Sequence, residues 1–302
     1  MRSRGRNLRR LHASAPTFDL QSHSLHSDGA LTPSEVVGAA ADAGVELLAL
    51  SDHDTVDGVA EAACAAAELG IRLVTAVEIS AIGVGDADLH MLGYRIDDRD
   101  ARLRERLLAY RQDRERRSES MARALRELGY ELDETALQAR ATAGKSIGRP
   151  HLAQAVVSHP ANARRLTGEG LDEPSAFLVA YLIEGRPAYR LRCTPTIAEA
   201  IAAVHEAGGV AVWAHPFWDI SEPQTVLDTV DRFRDEWGLD GVECFYPTFT
   251  REQTELLADH CERLGLLRTG SSDFHGPRHR HFSRFRAFST YGREPALGPI
   301  GE

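Results

Sequence analysis

Residues 45–80 read VELLALSDHDTVDGVAEAACAAAELGIRLVTAVEIS. VELLAL is a short aliphatic run that suits a buried strand, and it ends in the polar tetrapeptide SDHD (51–54). An alanine-rich stretch over 56–69 follows, with Gly70 behind it as a helix stop. IRLVTAVEIS (71–80) is a second apolar run with strand character. This strand, helix, strand order predicts parallel strands with covering helices.

The same alternation extends in both directions. FDLQS (18–22) reads as a strand and HSLHSDGALT (23–32) as a loop. Thr32 is placed to cap a helix with Pro33 at its first position, and SEVVGAAADAG (34–44) continues it to Gly44. DLHMLGYRI (88–96) is a fourth strand. Beyond the middle of the chain come a helix over 195–207, the strand GVAVWAH (209–215), a helix over 224–237, the strand LDGVECF (239–245) and a helix over 251–264. LLRTGSSDFH (266–275) supplies the last strand and its loop. Residues 97–188 differ: they are charged, rich in Arg and Glu, helical in pattern and without a clear strand. They are expected to form an inserted helical subdomain between barrel segments 17–96 and 189–292. Residues 1–16 are basic but have no apolar core of a secretory signal, and read as a mobile arm.

A formal net charge of −10 argues against a general nucleic-acid or membrane coat. No apolar run approaches the ~20 residues of a membrane span. The four cysteines, Cys64, Cys193, Cys244 and Cys261, show no CxxC spacing and read as free thiols of a reducing compartment. A cytoplasmic location is the expectation. Lys145 is the single lysine, so basic groups are almost all arginine.

The residues able to do chemistry stand where strands are expected to end. Asp19, Gln21 and His23 alternate along the first strand and share a face. Asp28 follows in the loop, His53 ends the second strand, Glu78 the third, and His90 lies on the fourth. His215 ends the strand in WAHP, and Asp273 and His275 alternate in SSDFH. In an α/β barrel such ends converge on one face. Imidazoles and carboxylates without thiolates suit divalent Mn, Zn or Fe. A Ser/His/Asp triad through Ser51 or Ser272 would need a GxSxG elbow, which is missing. GKS (144–146) lacks the first P-loop glycine, because position 139 is Ala139, and HEAGG (205–209) is not HExxH. His26, His159, His279 and His281 read as ordinary surface histidines, and Glu243 as an acid behind the ligands.

These motifs resemble those of the PHP (polymerase and histidinol phosphatase) family of metal-dependent phosphoesterases. The resemblance runs over about residues 17–292, in DLQSHSLHSDG (19–29), LSDHDT (50–55), AVEIS (76–80), DLHMLGY (88–94), WAHP (213–216) and SSDFH (271–275). It is greatest with the small nucleotide phosphatases and related short-RNA exonucleases, which carry a helical insertion where this chain has 97–188. The resemblance implies an α/β fold, a distorted seven-stranded (β/α) barrel, and two or three divalent ions. One ion would be held by Gln21, His23, Glu78 and Asp273. A second would use Glu78 as a bridge with His90 and His215, and a third Asp28, His53 and His275. Glu78 and Asp273 would be the central catalytic acids, with hydroxide bridging two ions as nucleophile. Gln21 departs from the family's usual histidine. His275 would also meet the substrate phosphate.

Arg111 and Arg114 share one face of the insertion. With Asp113 and Glu115 beside them they could form a solvated, self-paired surface. The resemblance implies instead that they contact substrate, as Arg149 and His151 of IGRPHLA (147–153) would. The expected reaction is hydrolysis of the phosphomonoester of a nucleotide, either a nucleoside monophosphate or a 3′,5′-bisphosphate. Alternatives are 5′→3′ exonuclease action on short RNA, a histidinol-phosphate-type phosphatase, and a non-catalytic metal- or nucleotide-binding protein. Expected partners are a small nucleotide or short oligonucleotide, with no membrane, long nucleic acid or obligate protein.

Overall fold

The computed structural model describes residues 16–83, 88–142, 147–191 and 195–302, and residues 1–15 of the expected arm and Cys193 lie outside these residues. Strands β1 (Phe18–Asp19), β2 (Leu47–Leu50), β3 (Arg72–Ile82), β4 (Asp88–Tyr94), β5 (Val210–Trp213), β6 (Gly241–Phe245) and β7 (Leu267–Gly270) form one sheet in chain order. The sheet curls until its edges meet. Leu20 N–H donates to the Gly270 carbonyl at 3.3 Å and His23 N–H to that of Phe274 at 2.8 Å, and Ser22 bridges Phe274 in parallel register. The result is a nearly closed seven-stranded α/β barrel. Inside it the Tyr94 hydroxyl donates to the Leu20 carbonyl at 2.9 Å.

The uniformly parallel sheet expected from the strand–helix alternation is not what forms. β4 runs antiparallel to both β3 and β5. Only residues 83–87 separate β3 from β4, too few for a crossover, so the two strands pair as neighbours in a hairpin sense. The remaining pairs are parallel.

The outer helices begin and end on the chemistry their sequences provide. α1 (Pro33–Asp42) is capped by Thr32, whose side chain accepts from Glu35 N–H while the Glu35 carboxylate accepts from Thr32 N–H. α2 (Val59–Leu69) starts later than its alanine pattern suggests and stops at Gly70, whose φ of 71° is the left-handed cap. α3 (Ala101–Glu127) spans two cores. Its Leu103, Leu107 and Tyr110 pack with the barrel. Its Met121, Ala124 and Leu125 join a separate cluster with Leu152, Val156, Leu166 and Phe177. That cluster draws on α4 (Glu134–Thr142), α5 (Arg149–Ser158), α6 (Ala163–Glu169) and α7 (Pro174–Tyr181).

α8 (Ile197–Glu206), the short α9 (Pro216–Asp219), α10 (Pro223–Trp237) and α11 (Arg251–Leu264) complete the α-helices among the described residues. The chain does not leave the barrel at 292. Ala296 bridges Arg268, Ile300 is buried, and the Gly301 carbonyl accepts from Arg72 Nη1 at 2.8 Å. Among the described residues no helix is long and apolar enough to cross a membrane.

Candidate metal centre

The strand ends turn sharply into loops at one mouth of the barrel. Asp54, His215 and Asp273 adopt φ of 51°, 30° and 52°. Non-glycine residues in this region store roughly 1–3 kcal/mol each, and such strain collects at functional sites. The loop after β1 folds back so tightly that a Cβ at Gly29 would lie 2.1 Å from the His23 carbonyl oxygen. Only glycine fits there, which places Asp28 beside the histidine. Asp52 fixes the same loop by accepting from Ser24 N–H at 2.7 Å and from the Ser24 and Ser27 hydroxyls at 2.6 Å each.

Glu78 is the centre of the arrangement and is fully buried. Its Oε1 lies 2.8 Å from His90 Nδ1 and 3.2 Å from His215 Nε2. Its Oε2 lies 3.1 Å from His23 Nε2 and 3.6 Å from His53 Nδ1. His23 Nε2 is also 3.0 Å from Asp273 Oδ1. Asp28 holds the other flank, with Oδ2 3.6 Å from His53 Nε2 and Oδ1 3.4 Å from His275 Nε2. The candidate ligand atoms fall into three overlapping groups, each within 4.8 Å: His23, Glu78 and Asp273; His53, Glu78 and His90; His23, Asp28, His53 and His275.

Gln21 is buried among them. Its Nε2 donates to Glu78 Oε2 at 2.9 Å, and its Oε1 accepts from the Ser271 hydroxyl at 3.3 Å. The amide therefore turns its nitrogen, which cannot bind a cation, toward the cluster. In this arrangement Gln21 is a donor to Glu78.

The donor set fits divalent cations. His23 Nε2, His53 Nδ1, His215 Nδ1 and Asp273 Oδ1 are buried and make no hydrogen bond of proper geometry with the described residues. Such atoms are costly unless something else satisfies them. Burial pushes the carboxyls of Glu78 and Asp28 up, but the facing imidazoles, His53 foremost, hold both well below the usual range. Asp273 ends at about 2, because His275 and His23 outweigh its burial. His23 and His215 move oppositely. Burial lowers them, yet Asp273 and Glu78 for the first, and Asp219 and Glu78 for the second, hold the rings well above their ordinary value. Burial drives His53 down to about 3.

Comparison with known proteins agrees with this geometry. The PHP domain model matches residues 19–142. A 5′-3′ exoribonuclease of Haemophilus influenzae is 34% identical over 260 residues, spanning 86% of this chain and 90% of the relative. The chain belongs to the PHP family. A 3′,5′-nucleoside bisphosphate phosphatase of Chromobacterium violaceum is 33% identical over 86% of this chain and 87% of its own length. A solved structure from Bifidobacterium adolescentis, described as a metal-dependent phosphoesterase, shares 30% identity with a TM-score of 0.67, covering 87% of this chain and 89% of that one. This PHP protein is a metal-dependent phosphoric ester hydrolase.

The substrate residues expected in the PHP chain divide. Arg114 reaches down from α3 to the buried Asp54 carboxylate, in an ion pair with side-chain exposures of 14% and 0%. Asp54 also accepts from Ser80 N–H at 3.0 Å. Arg111 lies 3.6 Å from Asp57. Both arginines thus pair with carboxylates of the barrel. Arg149 donates to Asp88 at 2.6 Å. His151 Nδ1 accepts from Gly148 N–H at 3.0 Å, and burial, then Arg140, pushes this ring down to about 4.

Some side chains at the centre were not singled out from the sequence. The Tyr246 hydroxyl donates to Asp273 Oδ2 at 2.7 Å. Its place just past LDGVECF, at a strand end, was the available signal. Arg140 of α4 is half-buried and close enough to feel the Asp28 carboxylate. Its helix gives no periodic signal to mark it. His279, expected as a plain surface residue, is exposed but stacks on His275 with ring centroids 5.0 Å apart. Glu243 does stand behind the ligands, accepting from His215 N–H at 3.0 Å and from the Ser271 hydroxyl at 2.5 Å.

Proposed function

We propose that this PHP protein hydrolyses the phosphomonoester of a nucleotide, a nucleoside monophosphate or a 3′,5′-bisphosphate. The observation that carries this reading is the convergence of four imidazoles and a buried glutamine on the single carboxylate of Glu78. His23, Glu78 and Asp273 would hold one divalent ion, Glu78, His90 and His215 a second, and Asp28, His53 and His275 a third. Mn, Zn or Fe suits these donors. When bound, the ions would neutralise phosphoryl charge and acidify a bound water. Tyr246 holds Asp273 in place, and Asp52 holds the loop that carries Asp28. Glu243, pushed up to about 8 by burial, fixes the turn at His215 through its backbone N–H.

Residues 97–188 are read as the subdomain that grips substrate beyond the reacting phosphate. Arg140 and His151 of this subdomain lie close enough to Asp28 to feel its charge, which supports this. Arg111 and Arg114 are better read as clamps that fix the subdomain to the barrel. The free thiols Cys64, Cys244 and Cys261 and a nucleotide substrate fit a cytoplasmic setting.

The second reading, 5′→3′ exonuclease action on short RNA, is favoured by the likeness to the Haemophilus enzyme. A panel of AMP, a 3′,5′-bisphosphate, histidinol phosphate and a 5′-phosphorylated RNA pentamer, assayed with Mn²⁺, separates the readings. The expected result is phosphate release from the first two, abolished by a chelator and restored by Mn²⁺. Full activity in a verified metal-free preparation would refute the metal centre. Mononucleotide release from the pentamer without action on AMP would select the exonuclease.

A further inference from the structure

Beside the metal centre stands a large aromatic side chain that packing alone does not account for. α9 follows His215 directly, and Trp218 N–H donates to the His215 carbonyl at 2.8 Å. Phe217 of the same turn packs inward, its ring 5.4 Å from that of Phe249. Trp218 turns the other way and is 51% exposed. Its covered side rests on Phe282, with centroids 5.5 Å apart, and on Tyr246 at 6.4 Å. Both of these rings are buried and both touch candidate ligands. The Tyr246 ring lies 5.3 Å from that of His215, and its hydroxyl binds Asp273. The Phe282 ring lies 5.7 Å from that of His275. Trp218 is therefore one ring removed from three residues of the centre, on a rigid aromatic base, with the rest of its indole in solvent.

We propose that Trp218 is a stacking platform for the nucleobase of the substrate, and so sets a preference for nucleotides over other phosphate esters. This rests on reading the centre as a phosphoesterase site. The spacing matches the ligand: one sugar ring separates base from phosphate in a mononucleotide, as one aromatic ring separates Trp218 from the cluster. An indole face takes any base without sequence selection, because every base offers a π-face. The support beneath Trp218 fixes its orientation before the ligand arrives, which lowers the ordering cost of binding.

The test compares AMP with ribose 5-phosphate, which carries the same sugar phosphate and no base. With Mn²⁺ present, Trp218→Ala is expected to lower the preference for AMP, as the ratio of kcat/KM values, about 10- to 100-fold, the scale of one base–aromatic stack. The change should lie in KM for AMP, and Trp218→Phe should recover most of it. Equal losses on both esters, or an unchanged ratio, would overturn the proposal. A second readout does not need turnover. AMP and adenosine should quench tryptophan emission in the wild type, ribose 5-phosphate should not, and the quench should vanish in Trp218→Phe. If neither ester is hydrolysed, the phosphomonoesterase reading fails, while the quench still decides the stack.

Discussion

Replacing Glu78 by glutamine keeps the shape of the side chain and removes its charge. The two carboxylate oxygens face different partners, His90 and His215 on one side and His23 and His53 on the other, at 2.8 to 3.6 Å. An amide can present an acceptor to only one of these sets, and its NH₂ must face the other. Unit charges ~3 Å apart interact by roughly 5 kcal/mol at an effective dielectric near 20, and a dication doubles this. Desolvation offsets much of that gross term. A residue of about 4 kcal/mol corresponds to ~10³ in rate. Glu78→Gln is therefore expected to lower kcat/KM on AMP by about 10³ or more and to reduce bound metal by elemental analysis. Circular dichroism would verify that the barrel is still folded. A folded variant within tenfold of wild-type kcat/KM, with unchanged metal content, would remove Glu78 from the centre and refute the reasoning.

Three further outcomes follow from the same geometry. Gln21→His places an imidazole where an amide now donates to Glu78, so metal should be retained longer on limited dialysis with the substrate range unchanged; equal retention would mean position 21 cannot reach the ion. Arg114→Ala leaves the Asp54 carboxylate buried without its cation, an expected cost of ~3–5 kcal/mol in urea unfolding, whereas Arg111→Ala should cost under about 1 kcal/mol because both partners are half-exposed. Finally, His23 and His215 are held above their ordinary value without metal, so both are protonated near pH 7, and ligation needs them neutral. Adding Mn²⁺ or Zn²⁺ to stripped protein in weak buffer should acidify the solution by more than one proton per chain; titration without acidification would mean the imidazoles do not bind the ion.

The barrel was legible because its strands are apolar runs and the helices between them are delimited by caps and glycines, as at Thr32 for α1 and Gly70 for α2. The candidate ligands were legible for a related reason: strand ends carry chemistry, and His53 and His215 each stand just past one, whereas Glu78, expected to end its strand, lies within β3 and pairs with Leu92 because that strand runs on to Ile82 in its antiparallel pairing with β4. The antiparallel course of β4 was hidden, since DLHMLGY reads as a strand without marking its direction and only the short 83–87 connection to β3 betrays it. Pairings distant in sequence were equally hidden. Nothing in the run from 111 to 114 tells that one arginine meets Asp54 and the other Asp57. Trp218 sits in a four-residue helix too brief to give periodicity, so its exposure had to be seen.

Gln21 tests how far the centre depends on any single ligand. Within the cluster charge is balanced internally: the carboxyls of Asp28, Glu78 and Asp273, all held below their usual range, face the imidazoles. A neutral amide at position 21 leaves that balance unchanged, because it adds no charge and satisfies one lone pair of Glu78. A lost carboxylate would not be neutral in the same way, since each one faces at least two imidazoles. The cluster therefore tolerates a change of neutral ligand far better than a change of anion. That asymmetry explains how a chain with glutamine in the first motif can keep its remaining donors in register around Glu78. The weakest grip on cations is then expected at the face of Glu78 that Gln21 covers, which the Gln21→His dialysis experiment checks.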